Sequence, residues 1–353
     1  MRLSECLNSS DIGVLRKIAD AHDFECSKSS KNALMQEIIT HFHNRRFVAD
    51  AYGSIREHAF REAVTQLMLD SRHEFSQEEV LAVVRRAGQT KEGMDIRWMN
   101  RLQKEGWVYR LNSKGGRQYY FIPDDLRKTM REFLSDTLKE RVKVADQPPI
   151  VYRDEQLTLL RDTAVFLNFV GKNDVQITKD GTIMKRQQGQ ILALFEIKEE
   201  PLGKVSWRFG YGRRFHDYPD RFALIYDYCF SRELVAETQA GVLELTSKAQ
   251  TWLQQEEKER VEDLFRYWRL LYRRPIPKLR VCVATLAQTA KDEWVHVDSM
   301  NNLLAPYVND YYYDKAQTVM EQRIYNMLVH QGLLAHGQLA GGTAVIKLTA
   351  LGR

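Results

Sequence analysis

Arg97, Asn100, Arg101 and Lys104 fall at i, i+3, i+4 and i+7, the spacing that gathers side chains on one face of a helix. Arginine can grip guanine edges and asparagine adenine edges, while lysine pairs with phosphate. A helix carrying these four outward is suited to lie against a polyanion, with the major groove of DNA as the obvious seat. Ile96, Met99 and Leu102 fall on the other side and are expected to face a core. The same surface helix could instead serve a protein contact or simply pack.

The surrounding residues supply the elements that such a helix needs. Ser76 and Glu79 form a capping box that starts the preceding helix, and Val80, Leu81, Val83 and Val84 give it a buried stripe. Gly106 ends the Arg97 helix. Two β-rich runs follow, 107–111 and 118–122, around Asn112-Ser113-Lys114-Gly115-Gly116-Arg117, where Asn and Gly permit the positive φ of a hairpin loop. Residues 57–122 therefore read as a winged helix, and Lys114 and Arg117 are expected at the wing tip, against the DNA backbone.

Two other segments could carry chemistry. Glu196-Ile197-Lys198 follows the apolar run 191–195, with Asp180 upstream. On a strand end, Glu-x-Lys and a second carboxylate could hold Mg²⁺ for phosphodiester cleavage, as in restriction-endonuclease-like sites. If the run is an amphipathic helix, the same residues form a charged loop. Trp207-Arg208-Phe209-Gly210-Tyr211-Gly212-Arg213-Arg214-Phe215 alternates aromatics with arginine and glycine. Such a segment can stack bases while Arg213 and Arg214 pair with phosphate, or its aromatics can enter a core. His41 and His43 stand at i, i+2, which does not suit a metal site, and no Ser-His-Asp or Cys-His arrangement can be argued.

Composition limits these readings. The chain has 353 residues, 44% hydrophobic and 28% charged, enough to bury cores in two to four modules. A net charge of +5 proves no nucleic-acid partner, so local distribution must carry the argument. Residues 72–117 hold ten Lys/Arg against six Asp/Glu, and 179–214 hold eight against four, so each is locally +4. Cys6, Cys26, Cys229 and Cys282 have no CxxC spacing and indicate neither zinc nor disulfides. Neither a signal core nor a membrane-spanning apolar run is evident, and the expected location is the cytoplasm, at the nucleoid.

Residues 7–43 read helix, extended turn, helix. Leu15, Ile18 and Ala19 line the first helix, Leu34, Ile38, Ile39 and Phe42 the second, and Phe24 bridges them. Through its DIGVLRKIA and KNALMQEI helices this unit resembles the helix-extended-helix family, which includes the SAP motif and the N-terminal segment of the Rho terminator. That resemblance implies nucleic-acid contact, for which Lys28, Lys31, Arg45 and Arg46 are candidates. A two-helix cap on the next module is the other reading.

Residues 124–143 read as a charged helix and Asp146-Gln147-Pro148-Pro149 as a break. Beyond it, a helix to about Val170 leads to a tight turn at Lys179-Asp180-Gly181 and basic Lys185 and Arg186 at a helix start. ITKDGTIMKR, then YPDRFALIYDYCFSRELVAETQAGVLELTSKAQTWL and the helix from Arg260 to Trp268, are similar to the N-terminal accessory domain of XPB-type DNA helicases and their bacterial relatives. The likeness covers about 150–353 and implies a role beside DNA remodelling, repair or transcription machinery. The helicase motor has no counterpart, since neither G-x-x-x-x-G-K-[ST] nor a DEAD-like box occurs. An internal repeat supports modularity: 233–246 and 332–349 each read as strand, turn, strand, Leu-Thr. In the last copy the third helix, 315–330, is expected to expose Gln322, Arg323, Asn326 and His330, with acidic neighbours that favour protein contact or packing.

The expected fold is thus mainly α with small β-wings, a helix-extended-helix unit followed by tandem winged helices. The expected boundaries are 1–46, 55–145, 150–275 and 276–353. The expected function is non-enzymatic DNA binding, duplex in preference to single strand, without cofactor, metal or membrane. The rival is a scaffold that binds a helicase or polymerase subunit.

Overall fold

The computed structural model describes residues 1–70, 72–88, 94–112, 116–203 and 210–353. Lys114 and the aromatic stretch 207–209 lie outside the described residues. The chain is mainly helical with small antiparallel sheets, and it divides into two compact units, Met1–Glu140 and Arg141–Arg353. This division is coarser than the four expected segments. No helix among the described residues is long and apolar enough to cross a membrane.

The first unit opens with α1 (Leu3–Ser9), α2 (Ile12–Ala21), α3 (Lys31–His43) and α4 (Arg45–Gly53). Short polar residues start three of these by accepting hydrogen bonds from otherwise orphaned backbone N–H groups: Asp11 from Gly13, Ser30 from Ala33, and Asn44 from Arg46 and Phe47. Leu15, Ile18, Ala19, Leu34, Ile38, Phe42 and the bridging Phe24 are buried as expected, while Ile39 is half-buried.

Next come α5 (His58–Leu69), β1 (Glu74–Phe75), α6 (Gln77–Gly88), α7 (Met94–Lys104), β2 (Tyr109–Asn112), β3 (Gln118–Phe121) and α8 (Asp124–Lys139). The capping box forms: Ser76 N donates to Glu79 at 2.8 Å, and Glu79 N donates to Ser76 Oγ at 3.2 Å. The sheet order is β1-β3-β2, with Tyr109 opposite Phe121 and Asn112 opposite Gln118. Gly106 has φ +76°, and a Cβ there would sit 2.9 Å from the Phe42 ring. The turn after α7 therefore needs glycine twice over, for its left-handed backbone and for its close seat on α3.

The second unit holds β4 (Val151–Arg153), α9 (Thr158–Lys172), β5 (Val175–Gln176), α10 (Lys185–Leu194), α11 (Asp220–Ser231), β6 (Val235–Glu237), β7 (Val242–Leu245), α12 (Ser247–Gln254) and α13 (Glu257–Leu271). It continues with α14 (Leu279–Thr289), β8 (Val295–His296), α15 (Val297–Leu304), α16 (Ala316–Val319), a π-helical turn at Met320–Tyr325, α17 (Asn326–His330), β9 (Leu334–Gln338) and β10 (Ala344–Leu348). Its sheets are ordered β5-β7-β6 and β4-β9-β10-β8. The repeat read from sequence corresponds to two antiparallel hairpins, β6-β7 and β9-β10.

Three times, then, the chain runs helix, strand, helix, helix, hairpin. Each time the lone strand pairs with the second hairpin strand: β1 with β3, β5 with β7, and β8 with β10. The third helix of each run is α7, α11 and the helical stretch 316–330.

Candidate nucleic-acid interface

Helix α7 hides Met99 and Leu102 and exposes Arg97, Asn100 and Lys104, as its sequence period requires. Ile96 departs from expectation: it is 51% exposed, because Trp98 takes the inward place and packs edge-on against Phe60 at 5.8 Å. At the start of the helix, Arg85 Nε lies 2.7 Å from Asp95, holds that carboxyl below its usual range, and ties α6 to α7. Arg97 and Lys104 have no ion pair among the described residues.

Arg101 is a correction. Its Nε is 2.5 Å from Glu105, its Nη1 is 2.9 Å from Glu57, and its guanidinium lies 4.2 Å from the centre of the Phe60 ring. Glu57, hydrogen-bonded by Arg101, is held below the ordinary carboxylate range. Trp107 Nε1 donates to the other oxygen of Glu105 at 2.9 Å. Two carboxylates and an aromatic face occupy this arginine, so it fastens α7 to α5 rather than presenting charge.

The hairpin beside α7 carries Arg117, which is exposed next to β3, while Lys114 lies outside the described residues. Arg110 is also exposed, pointing outward between buried Tyr109 and Leu111. Strand alternation could have revealed it, and sequence reasoning passed it over. A second missed cation is Lys17 on α2, exposed beside α7; its signal was the outward phase of α2. A groove of about 350 Å³ runs between the two helices, lined by Val14, Lys17, Asn100, Gln103 and Lys104.

The other phosphate candidates of the N-terminal helices are mostly engaged within the unit. Lys28 pairs with Asp20, Arg45 pairs with Asp136, and Lys31 Nζ donates to the Asn8 carbonyl at 2.7 Å. Arg46 is exposed without an ion pair among the described residues.

In the second unit only part of the expected basic set faces outward. Lys185 and Arg186 are exposed in the first turn of α10. Arg213 instead pairs with Glu237 and stacks 4.1 Å from the centre of the Phe230 ring. Arg214 is buried; its Nη1 donates to the Asp180 carbonyl at 2.8 Å and its backbone N–H donates to Asp227 at 3.1 Å. Both arginines hold the loop after residue 209 to α11, which removes them from a nucleic-acid face. Phe215 is buried, and the Tyr211 hydroxyl meets that of Tyr311 at 2.7 Å, so the described aromatics of this segment pack inward.

The Glu-x-Lys residues lie beyond a helix, not on a strand: residues 191–194 belong to α10. Glu196 pairs with Arg161 at 2.5 Å, and Lys198 Nζ caps α10 by donating to the carbonyls of Ala193 and Phe195, both at 2.6 Å. Among the described residues no cluster of three or more His, Cys, Asp or Glu is placed to hold a metal ion.

Helix α11 is buried from Arg221 through Cys229 without a break. Arg221, fully inside, has Nε 3.1 Å from Glu155 and pairs through Nη1 with Asp162; Glu155 also meets Arg153 and His330. Burial pushes the Glu155 carboxyl up, but the hydrogen bond from His330 and the charges of His330, Arg153 and Arg221 outweigh it and hold it at about 2. Burial pushes the Asp227 carboxyl up to about 7, and the backbone N–H groups of Arg213 and Arg214 oppose that only in part. The loop passes so close that a Cβ on Gly212, at φ +143°, would lie 1.9 Å from Asp227 Oδ2.

The third helix of the last run exposes Gln322 and Asn326 but buries Arg323 and His330, against expectation. Arg323 Nη1 is 2.7 Å from Asp220 and its guanidinium is 4.6 Å from the centre of the Phe215 ring. The π-helical turn shifts the phase of the side chains around Arg323, and the partners Asp220 and Glu155 receive the two residues inside.

No protein-family model and no curated protein matches this chain.

Proposed function

We propose that the chain is a non-enzymatic DNA-binding protein, an accessory to DNA remodelling, repair or transcription machinery, and that α7 is its reader. On this reading the run α5 to β3 is a winged helix, with the β2-β3 hairpin as its wing. The observation that carries the proposal is the exposed Arg97, Asn100 and Lys104 face on a helix that Arg101, at the edge of that face, fastens to α5. Seven residues of α-helix separate Arg97 from Lys104, about 10.5 Å of rise. The major groove is about 12 Å wide, so a helix laid across it puts Arg97 at base edges when Lys104 reaches a bordering phosphate. Arg110 and Arg117 extend the positive surface along the hairpin.

The test is a titration of the full chain with random duplex and with single-stranded DNA across a salt series. The reading requires tight duplex binding that weakens steeply with salt and is lost in Arg97→Ala/Lys104→Ala. Absence of duplex binding at low salt overturns it.

A second reading applies to the second unit, as a scaffold that binds a helicase or polymerase subunit. It is favoured by the burial of α11 and of most of the helix at 316–330, which leaves those runs little to offer a DNA groove.

A further inference from the structure

The groove between α2 and α7 has no role in base reading by α7 alone. It is open at the surface, and its two rims each carry an ammonium: Lys17 on α2 and Lys104 on α7. Neither has an ion pair among the described residues, in contrast to Lys28 and Arg45 nearby, which pair with Asp20 and Asp136. The floor adds the side-chain amides of Asn100 and Gln103, which can donate to phosphate or sugar oxygens, and the apolar wall of Val14.

Packing contacts tie the two rims together. Ile18, one residue beyond Lys17, lies against the Gly106 turn, and His22 Nε2 donates to the Glu105 carbonyl at 2.9 Å. Phe42 on α3 meets Trp107 edge-on at 6.3 Å. The C-terminal end of α7 is thus docked on the α2–α3 pair, so Lys17 keeps a fixed place beside Lys104.

We infer that this groove takes one phosphodiester strand of the bound duplex, clamped between Lys17 and Lys104. The helix pair at the N-terminus is then a wall of the α7 interface and not a separate nucleic-acid module. This rests on α7 as the reader. It adds that α2 sets the register of α7: the strand bordering the groove is gripped from both sides at Lys104, while Arg97 faces the bases. Phosphate contacts of this kind position a protein without adding sequence preference.

The experiment compares full-length wild type, Lys17→Ala, Lys17→Glu and Arg97→Ala on random duplex DNA across a salt series, with thermal melting of each protein. The expected result is a roughly threefold to tenfold loss of affinity for Lys17→Ala and a larger loss for Lys17→Glu, with unchanged melting. The slope of log affinity against log salt should fall by about one, as for one lost phosphate contact. If both Lys17 variants keep the wild-type slope while Arg97→Ala binds weakly, the clamp is wrong and the α7 reading survives. If wild type and all variants fail to bind duplex, both are wrong.

Discussion

Helices α7 and α11 hold the same place in the same order of elements, yet they face opposite surroundings. α7 is amphipathic, with a buried Met99–Leu102 side and an exposed cationic side. α11 is buried on every side from Arg221 to Cys229. Its charges look inward: Arg221 to Glu155 and Asp162, Asp227 to the backbone of the 212–214 loop. Topology therefore repeats while surface chemistry does not. A helix that is covered all round is a core element, whereas a helix with one polar face remains available to a partner.

The largest effect should come from cutting α11 loose. Arg221→Met leaves Glu155 and Asp162 as buried carboxylates short of their cation, a change that typically costs about 3–5 kcal/mol. Denaturant unfolding of the second unit should shift accordingly. A loss below about 1 kcal/mol would mean that α11 is not held as described.

A pH series sharpens the same contrast. Asp227 keeps its proton up to about 7 in the folded state, against an ordinary value of 3.8. The folded chain thus holds a proton that the unfolded chain releases, and stability falls as pH rises between those values, by on the order of 4 kcal/mol. Glu155 acts in the other direction: held at about 2 against an ordinary 4.5, it contributes stability above 4.5 that is lost as pH falls toward 2. Melting of the second unit should be highest near pH 4–5, and Asp227→Asn should flatten the decline toward pH 8. An unchanged decline in that variant would assign it to other groups.

Within the first unit, Arg101→Ala and Arg97→Ala should separate support from reading. The first loses two ion pairs and a stacked ring, and should lower stability by about 1–2 kcal/mol as well as DNA affinity. The second should leave melting unchanged and reduce affinity about tenfold, with relaxed preference at the base it contacts. Equal melting of the two variants would erase the distinction.

Local signals in the sequence located most elements. Ser76 and Glu79 marked a helix start, Gly106 a helix end, and alternating β-rich runs the hairpins, because each is decided by residues within a few positions. Helices α4 and α1 are less legible: α4 has only its Asn44 cap as a signal, and α1 is only seven residues long. The misplaced charges share one cause. Arg323 finds Asp220 103 positions away, and His330 finds Glu155 175 positions away. Neither pairing leaves a trace in local periodicity, and the π-helical turn alters the phase as well. At Arg101 the i, i+4 spacing points to a DNA contact, because spacing does not say whether Glu57 and Phe60 approach from another helix.

The most direct measurement sets the two units against each other in the full chain. Duplex affinity of Arg97→Glu/Lys104→Glu is compared at one salt concentration with that of Lys185→Glu/Arg186→Glu, whose cations are also exposed. The account predicts that the α7 pair loses at least about thirtyfold, given ~1–3 kcal/mol per contact removed, while the α10 pair stays within about threefold of wild type. The reverse order would contradict it and move the DNA interface to the second unit.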